Sequence, residues 1–232
     1  MNKNQKKDFT PNLLFWFSKN YRPMPWKGER NPYYIWLSEI ILQQTRVEQG
    51  LPYFLKFKEN YPTIKDLAAA TEDEVMLLWQ GLGYYSRARN LHFTAKYITY
   101  ELDGIFPNTY SEIIRLKGVG SYTAAAIASF AYNLPHAVVD GNVYRVLSRY
   151  FGIHTPIDST EGKKQFEKLA NDLIDKERAA DYNQAIMDFG ATHCTPRNPS
   201  CSACILSSNC IGFNTQKNDI LPVKTKKIKK KE

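Results

Sequence analysis

Nowhere in the 232 residues does an apolar run approach the roughly 18 residues that a membrane-spanning helix requires, so no membrane partner is expected. The first apolar patch, Leu13 to Phe17, is too short for the core of a signal peptide, and no small-residue cleavage site follows it. The expected location is the cytoplasm. Alternation of apolar and polar residues with period two is scarce, and short runs such as His136 to Asp140 are too isolated to build a sheet. There is no internal repeat and no low-complexity stretch before the tail. Cysteine is confined to four positions between Cys194 and Cys210; without a secretory signal, this disfavours disulfides and favours a metal site. A hydrophobic content of 43% with 13% aromatics excludes a disordered chain and leaves enough material for a proper core.

Charge of one sign is concentrated rather than spread. Of the net +8, the segment from Thr215 onward carries +5, with Lys217, Lys224, Lys226, Lys227, Lys229, Lys230 and Lys231 against Asp219 and Glu232. Such a run reads first as a solvated linker or tail over 215–232, and charge by itself supports nucleic-acid binding only weakly. What fills the rest is helix. Thr10 with Pro11, and Asn31 with Pro32, have the form of an N-cap followed by a first-turn proline. Thr71 with Glu74, and Thr109 with Glu112, have the spacing of capping boxes. Apolar positions at three- and four-residue spacings predict helices over Gly141–Phe151, Thr160–Ile174 and Tyr182–Gly190. The fold class is all-α, about ten short helices in two lobes around a cleft.

The cysteines follow C-x6-C-x2-C-x5-C: Cys194, Cys201, Cys204, Cys210. Four thiolates hold either tetrahedral zinc or an iron–sulfur cubane. Zinc sites commonly use two close pairs a dozen or more residues apart, and this loop does not. Cluster, zinc and unligated thiols stay open on spacing alone, with the cluster first. His193 beside Cys194 is not needed as a ligand. Two carboxylates also stand out. Glu39 lies in a helix among Trp36, Ile40 and Ile41; most helical glutamates are solvated, but one facing an apolar cleft is a usable general acid. Asp140 before "GNVYRVLSRYFG" reads as an N-cap, where a carboxylate stays ionised easily. A protonated glutamate and an ionised aspartate are the pair that glycosidic cleavage needs.

"WLSEIILQQTRV", "LWQGLGYYSRARNL", "LKGVGSYTAAAI", "VVDGNVYRVLSR", "NQAIMDFGATHC" and the cysteine loop occur together and in order. They resemble the MutY family of adenine DNA glycosylases within the helix-hairpin-helix base-excision superfamily, from about Leu13 to Cys210. The resemblance implies a six-helix barrel lobe with the hairpin over 30–136, and a cluster lobe from 1–29 plus 137–214. It implies a [4Fe-4S] cluster on the four cysteines, with Arg197 of that loop on a DNA phosphate. The implied substrate is double-stranded DNA carrying adenine opposite 8-oxoguanine or guanine, bound by a monomer in the nucleoid, with the adenine flipped into the cleft. Glu39 would protonate N7 of the base, and Asp140, with Asn142 beside it, would stabilise the oxocarbenium-like sugar, electrostatically or through a transient covalent bond. Gln44, Thr45, Leu82 and Tyr84 would surround the orphaned guanine and fill the gap, while Trp26, Gln184 and Met187 would line the adenine pocket. Lys27 occupies a pocket position that varies in type. Arg87 and Arg89 read as phosphate contacts or surface charges.

Gly118 and Gly120 permit positive φ and a close approach, so that a DNA phosphate can meet the N–H groups at the start of the next helix. Tyr122 stands where an endonuclease III-type lyase has its Schiff-base lysine; a phenol cannot form that adduct, and by resemblance it hydrogen-bonds Asp140. The rival readings are a thymine or uracil mismatch glycosylase of the same superfamily, a non-catalytic DNA-binding module and a cluster-bearing electron carrier. Members of the family usually continue into a second domain that helps recognise 8-oxoguanine. The sequence stops at "LPVKTKKIKKKE", so a weakened preference for 8-oxoguanine over guanine is expected.

Overall fold

The computed structural model describes residues 3–225; Lys226, Lys227, Lys229, Lys230 and Lys231 of the basic tail lie outside the described residues. Among the described residues there are twelve α-helices, two short 3-10 turns and no strand, and no helix is long and apolar enough to cross a membrane. The chain divides into two units, Met1–Pro23 with Asn133–Glu232, and Met24–Tyr132.

The first helix, α1 (Lys3–Lys19), belongs to the first unit and departs from its sequence reading. Thr10 is not its N-cap, and Pro11 lies inside it. The buried stripe Phe9, Leu13, Leu14 and Phe17 extends through the proline, which forfeits only one main-chain hydrogen bond. The Thr10 hydroxyl donates instead to the carbonyl of Leu173 at 2.6 Å.

In the second unit, α2 (Pro32–Leu42) starts as its sequence predicts: Asn31 caps it by accepting from the Tyr33 N–H, and Pro32 opens the first turn. Seven of its eleven residues are buried, so it is the central helix, with α3 (Val47–Asn60), α6 (Ser86–Glu101) and α8 (Ser121–Tyr132) packed around it. Between these, α4 (Ile64–Ala69) and α5 (Glu72–Trp79) both open on capping boxes. Thr71–Glu74 is the expected one; Thr63–Asp66 uses the shorter aspartate and was not legible from the Glu/Gln pattern. At α7 (Tyr110–Ile113) the expected box does not form. Here the Thr109 hydroxyl donates to the Glu112 carboxylate at 2.6 Å, and no side chain reaches a helix N–H.

In the first unit, α9 (Gly141–Phe151), α10 (Thr160–Leu173) and α11 (Ala179–Thr192) match their predicted spans to within a few residues. α11 packs on α1 and α9, and α12 (Ile211–Asn214) packs on α9, around a core of Phe9, Phe166, Tyr182 and Phe189. The described part of the segment read as a tail is not free. Leu221 is buried, the Ile157 N–H donates to the Val223 carbonyl at 3.0 Å, and the Thr225 N–H donates to Asp158 at 2.8 Å.

The hairpin before α8 is pinned by buried Leu116 and Val119, which leaves Lys117, Gly118 and Gly120 exposed. Gly118 has φ +81°, and a Cβ there would stand 2.9 Å from that of Asn90. Gly120 does not share this: its φ is not left-handed, and a Cβ would meet nothing within 4 Å. The open space, not unusual torsion, is what it offers a phosphate. Gly118→Ala is therefore expected to cost about 1–2 kcal/mol of stability, with Gly120→Ala within about 0.5 kcal/mol of wild type. Urea unfolding of both variants checks this, and equal losses would overturn it.

Candidate functional site

Each unit carries some of the residues expected to act. In the second unit, Glu39 is half-buried on α2 between the buried Ser38 and Ile40. The chain leaves α2 through Gln44, exposed and held at φ +56°, and half-buried Thr45. A second loop, Gly81 to Tyr84, ends with Tyr84 at φ +48° and 65% exposed, whereas Leu82 is only 6% exposed. Of the four residues expected around an orphaned guanine, Gln44 and Tyr84 thus stand in solvent and Leu82 packs inward. Tyr122 is half-buried in the first turn of α8; Trp26 is half-buried and packs edge-on against Phe54 at 5.3 Å. Arg89 is a surface charge paired with Glu72 at 3.2 Å. Arg87 is not a surface charge: it is buried and donates to main-chain carbonyls at the end of α2 and in both loops, because α6 packs it against the end of α2.

In the first unit, Asp140 caps α9, accepting from the Val143 N–H at 2.8 Å and from the Asn142 amide at 2.9 Å. The Asn142 oxygen accepts from Arg145 at 2.8 Å, and the same guanidinium donates to the carbonyls of Gly190 at 2.6 Å and Cys194 at 2.7 Å. An unbroken chain of hydrogen bonds therefore links the carboxylate to the main chain of a cysteine. Burial pushes the Asp140 carboxyl above its ordinary value, outweighing the N–H bonds and the Arg145 charge that pull it down. The easy ionisation expected of a helix N-cap is corrected by that desolvation. Gln184 and Met187 are half-buried on α11, with the Gln184 amide 3.5 Å from the buried Asp188 carboxylate.

All four cysteines line one cavity, together with Val146, Arg149, Phe189 and His193. N–H groups are aimed at three sulfurs: Arg149 at Cys194 (3.5 Å), Asn218 at Cys201 (3.2 Å) and the Leu206 amide at Cys204 (3.4 Å). Burial, followed by repulsion between the cysteines, holds the Cys201 and Cys210 thiols above the usual range and pushes Cys204 up to about 12. Ionising them together needs a strongly positive guest. Among the described residues no three His, Cys, Asp or Glu side chains are arranged to hold one metal ion. Four sulfurs lining one cavity fit a cluster, in which each thiolate holds its own iron. His193 stacks on Phe189 at 5.0 Å, and Arg197 is exposed on the same loop. The sequence reading missed Arg145, Arg149 and Asn218. Two arginines four apart among the apolar residues of "VYRVLSRY" were the available signal for the first two.

A model of the HhH-GPD superfamily of base excision DNA repair proteins matches residues 37–175, more than half of the chain. The chain belongs to that superfamily. The iron–sulfur binding domain of endonuclease III matches residues 194–210, so the cysteine loop is the [4Fe-4S] cluster motif of these proteins. An adenine DNA glycosylase of Buchnera aphidicola subsp. Baizongia pistaciae is 40% identical, the match covering 96% of this chain and 62% of that protein. The adenine DNA glycosylase of Homo sapiens is 43% identical over 87% of this chain and 39% of its own. A solved thermostable thymine-DNA glycosylase superimposes with TM-score 0.84 and 30% identity, covering 91% of this chain and 98% of that one. The chain spans about three fifths of the length of the Buchnera relative and two fifths of the human one.

The raised Asp140 carboxyl has a consequence for stability. The unfolded aspartate loses its proton at the ordinary value and the folded one at a higher pH. Between the two, folding takes up a proton; above both, the buried charge is a cost that falling pH relieves. Asp140→Asn keeps a side-chain acceptor for the cap and removes that charge. It is expected to raise the melting temperature at pH 7, with the gain shrinking as pH is lowered toward 5. A lowered melting temperature at pH 7 would mean that the hydrogen bonds outweigh burial.

Proposed function

We propose that the chain is a monofunctional DNA glycosylase that excises adenine mispaired with 8-oxoguanine or guanine in double-stranded DNA. The observation that carries the reading is the identity of about 40% to adenine DNA glycosylases from a bacterium and from human, spread over nearly all of this chain. Glu39, half-buried on an otherwise apolar helix, is the general acid: its carboxyl gives a proton to N7 of the flipped adenine. The C1′–N9 bond then breaks with its electron pair leaving on the base. Asp140, held by the Val143 N–H and the Asn142 amide, faces the positive sugar as a carboxylate. Water adds at C1′ and its proton returns to Glu39. Gln44 and Tyr84 enter the gap, Trp26, Gln184 and Met187 line the adenine pocket, and the hairpin with Arg197 holds phosphates. The cluster on Cys194, Cys201, Cys204 and Cys210 supplies architecture for that loop.

A second reading, a thymine mismatch glycosylase, has one observation in its favour: the superposition at TM-score 0.84 on a protein of that name. Both readings meet in one assay. The full chain is incubated with duplexes carrying A opposite 8-oxoguanine, A·G, T·G or U·G, each divided with and without alkali. Breaks at adenine that need alkali are expected. Breaks at pyrimidines favour the second reading, and breaks without alkali sink the monofunctional mechanism. Glu39→Gln and Asp140→Asn are each expected to lower the single-turnover rate by about three orders of magnitude while binding persists. Retained turnover in either would remove that residue from the mechanism.

A further inference from the structure

Arg87 lies in the first turn of α6 beside exposed Tyr85, Ser86 and Arg89, yet its own residue is only 9% exposed. On one side its guanidinium donates to the carbonyls of Ile40 (3.2 Å), Ile41 (3.0 Å) and Gln43 (2.5 Å) and to the Thr45 hydroxyl (3.2 Å). On the other side it donates to the carbonyls of Leu82 and Gly83, both at 3.3 Å. Its plane stands over the rings of Trp79 at 5.1 Å and Tyr84 at 5.6 Å, and the Trp79 indole donates to the same Gly83 carbonyl at 3.0 Å.

One side chain therefore satisfies the carbonyl end of the helix that carries Glu39, and also fixes the loop that carries Tyr84. A cation at a helix C-terminus is favoured there, and a planar fork reaches acceptors in two directions where a lysine ammonium, a single point of charge, does not. The residues it brackets need such holding. Gln44 and Tyr84 both carry left-handed backbone, at φ +56° and +48°, which a non-glycine residue keeps only when its surroundings over-determine it.

We infer that Arg87 is a positioning residue for duplex opening. It locks the Gln44 and Tyr84 loops into one platform at fixed spacing, so that both side chains enter the base stack together as the target base leaves it. The inference rests on the glycosylase reading for what is opened, not for how the platform is held.

The test compares wild type with Arg87→Lys in the full chain, on duplexes with A opposite 8-oxoguanine or with T·G, each with 2-aminopurine beside the target to report unstacking. Arg87→Lys is expected to lower opening and single-turnover excision together, by roughly tenfold to a hundredfold. Affinity for a fully paired duplex, far-UV helicity and cluster absorbance are expected to stay at wild-type levels. Opening at the wild-type level in Arg87→Lys overturns the inference, as does a loss that helicity and paired-duplex affinity share. Should Arg87→Lys not fold, Gly83→Ala serves. Its added Cβ meets nothing within 4 Å, but the φ of +71° strains it and shifts the carbonyl that Arg87 holds; opening is again expected to fall at unchanged helicity. Wild-type protein that opens T·G and not the adenine mispair sinks the adenine reading while the platform is scored on T·G. Wild-type protein that opens neither sinks both.

Discussion

Burying a guanidinium is tolerable only where its N–H groups find acceptors, because the group stays charged at any pH a protein meets. The chain does this at Arg87, Arg145 and Arg149, all at most 9% exposed. In each case most of the acceptors are main-chain carbonyls, in loops or at helix ends, rather than carboxylates. Loop carbonyls have no partners of their own until something supplies them, so the dependence runs both ways. The loop neutralises the cost of the buried charge, and the charge fixes the loop. Gln44, Thr45, Leu82, Tyr84 and Arg197, all expected to touch DNA, hang on segments held in this manner.

In the first unit α9 carries the arrangement along its length. Asp140 caps it, and Asn142, Arg145 and Arg149 follow at spacings of three and four residues, on neighbouring turns of one side. Arg145 reaches the Cys194 carbonyl, and Arg149 reaches Thr195 and Pro196 on the cysteine loop and Asn218 and Leu221 beyond it. A ligand loop that closes on its cluster thereby also fixes the register of the helix whose N-cap is the candidate carboxylate. The cluster need not touch the reaction to matter to it.

Much of this could be read in the sequence, and the parts that could not share a cause. α2 and α9 announce themselves through Asn31–Pro32 and Asp140, because caps and first-turn prolines act locally. The four cysteines are legible because all of them fall within one short stretch, Cys194 to Cys210. α1 was misread because Thr10–Pro11 is a good local start, yet the buried stripe upstream and downstream decides where a helix runs. Arg87 in "YYSRARN" follows exposed Tyr84, Tyr85 and Ser86, and the small buried Ala88 beside it gives little local sign that the arginine is buried too. Only α6 packing on α2 turns it inward, and that contact spans more than forty residues of sequence. Leu82 is the same lesson in reverse: a loop residue that local reading leaves outside and packing takes in.

The strained positions give the last step. Glycine at residue 84 would relieve a left-handed backbone without steric penalty, and the chain already has glycine at φ +98° and +71° in Gly81 and Gly83 of the same loop. A tyrosine at φ +48°, 65% exposed, gives the fold little beyond its ring's contact with the Arg87 guanidinium at 5.6 Å. What it adds is a flat, exposed face beside a backbone that cannot swing, since the carbonyl of the preceding residue is held by both Arg87 and Trp79. A rigid aromatic held in solvent at a conformational cost is what stacking between bases requires, because a ring that must first be ordered loses in entropy what it gains in contact. On the glycosylase reading the strain at Tyr84 and the buried charge at Arg87 are two sides of one device: the first holds the ring ready to enter the base stack, and the second keeps it aimed there.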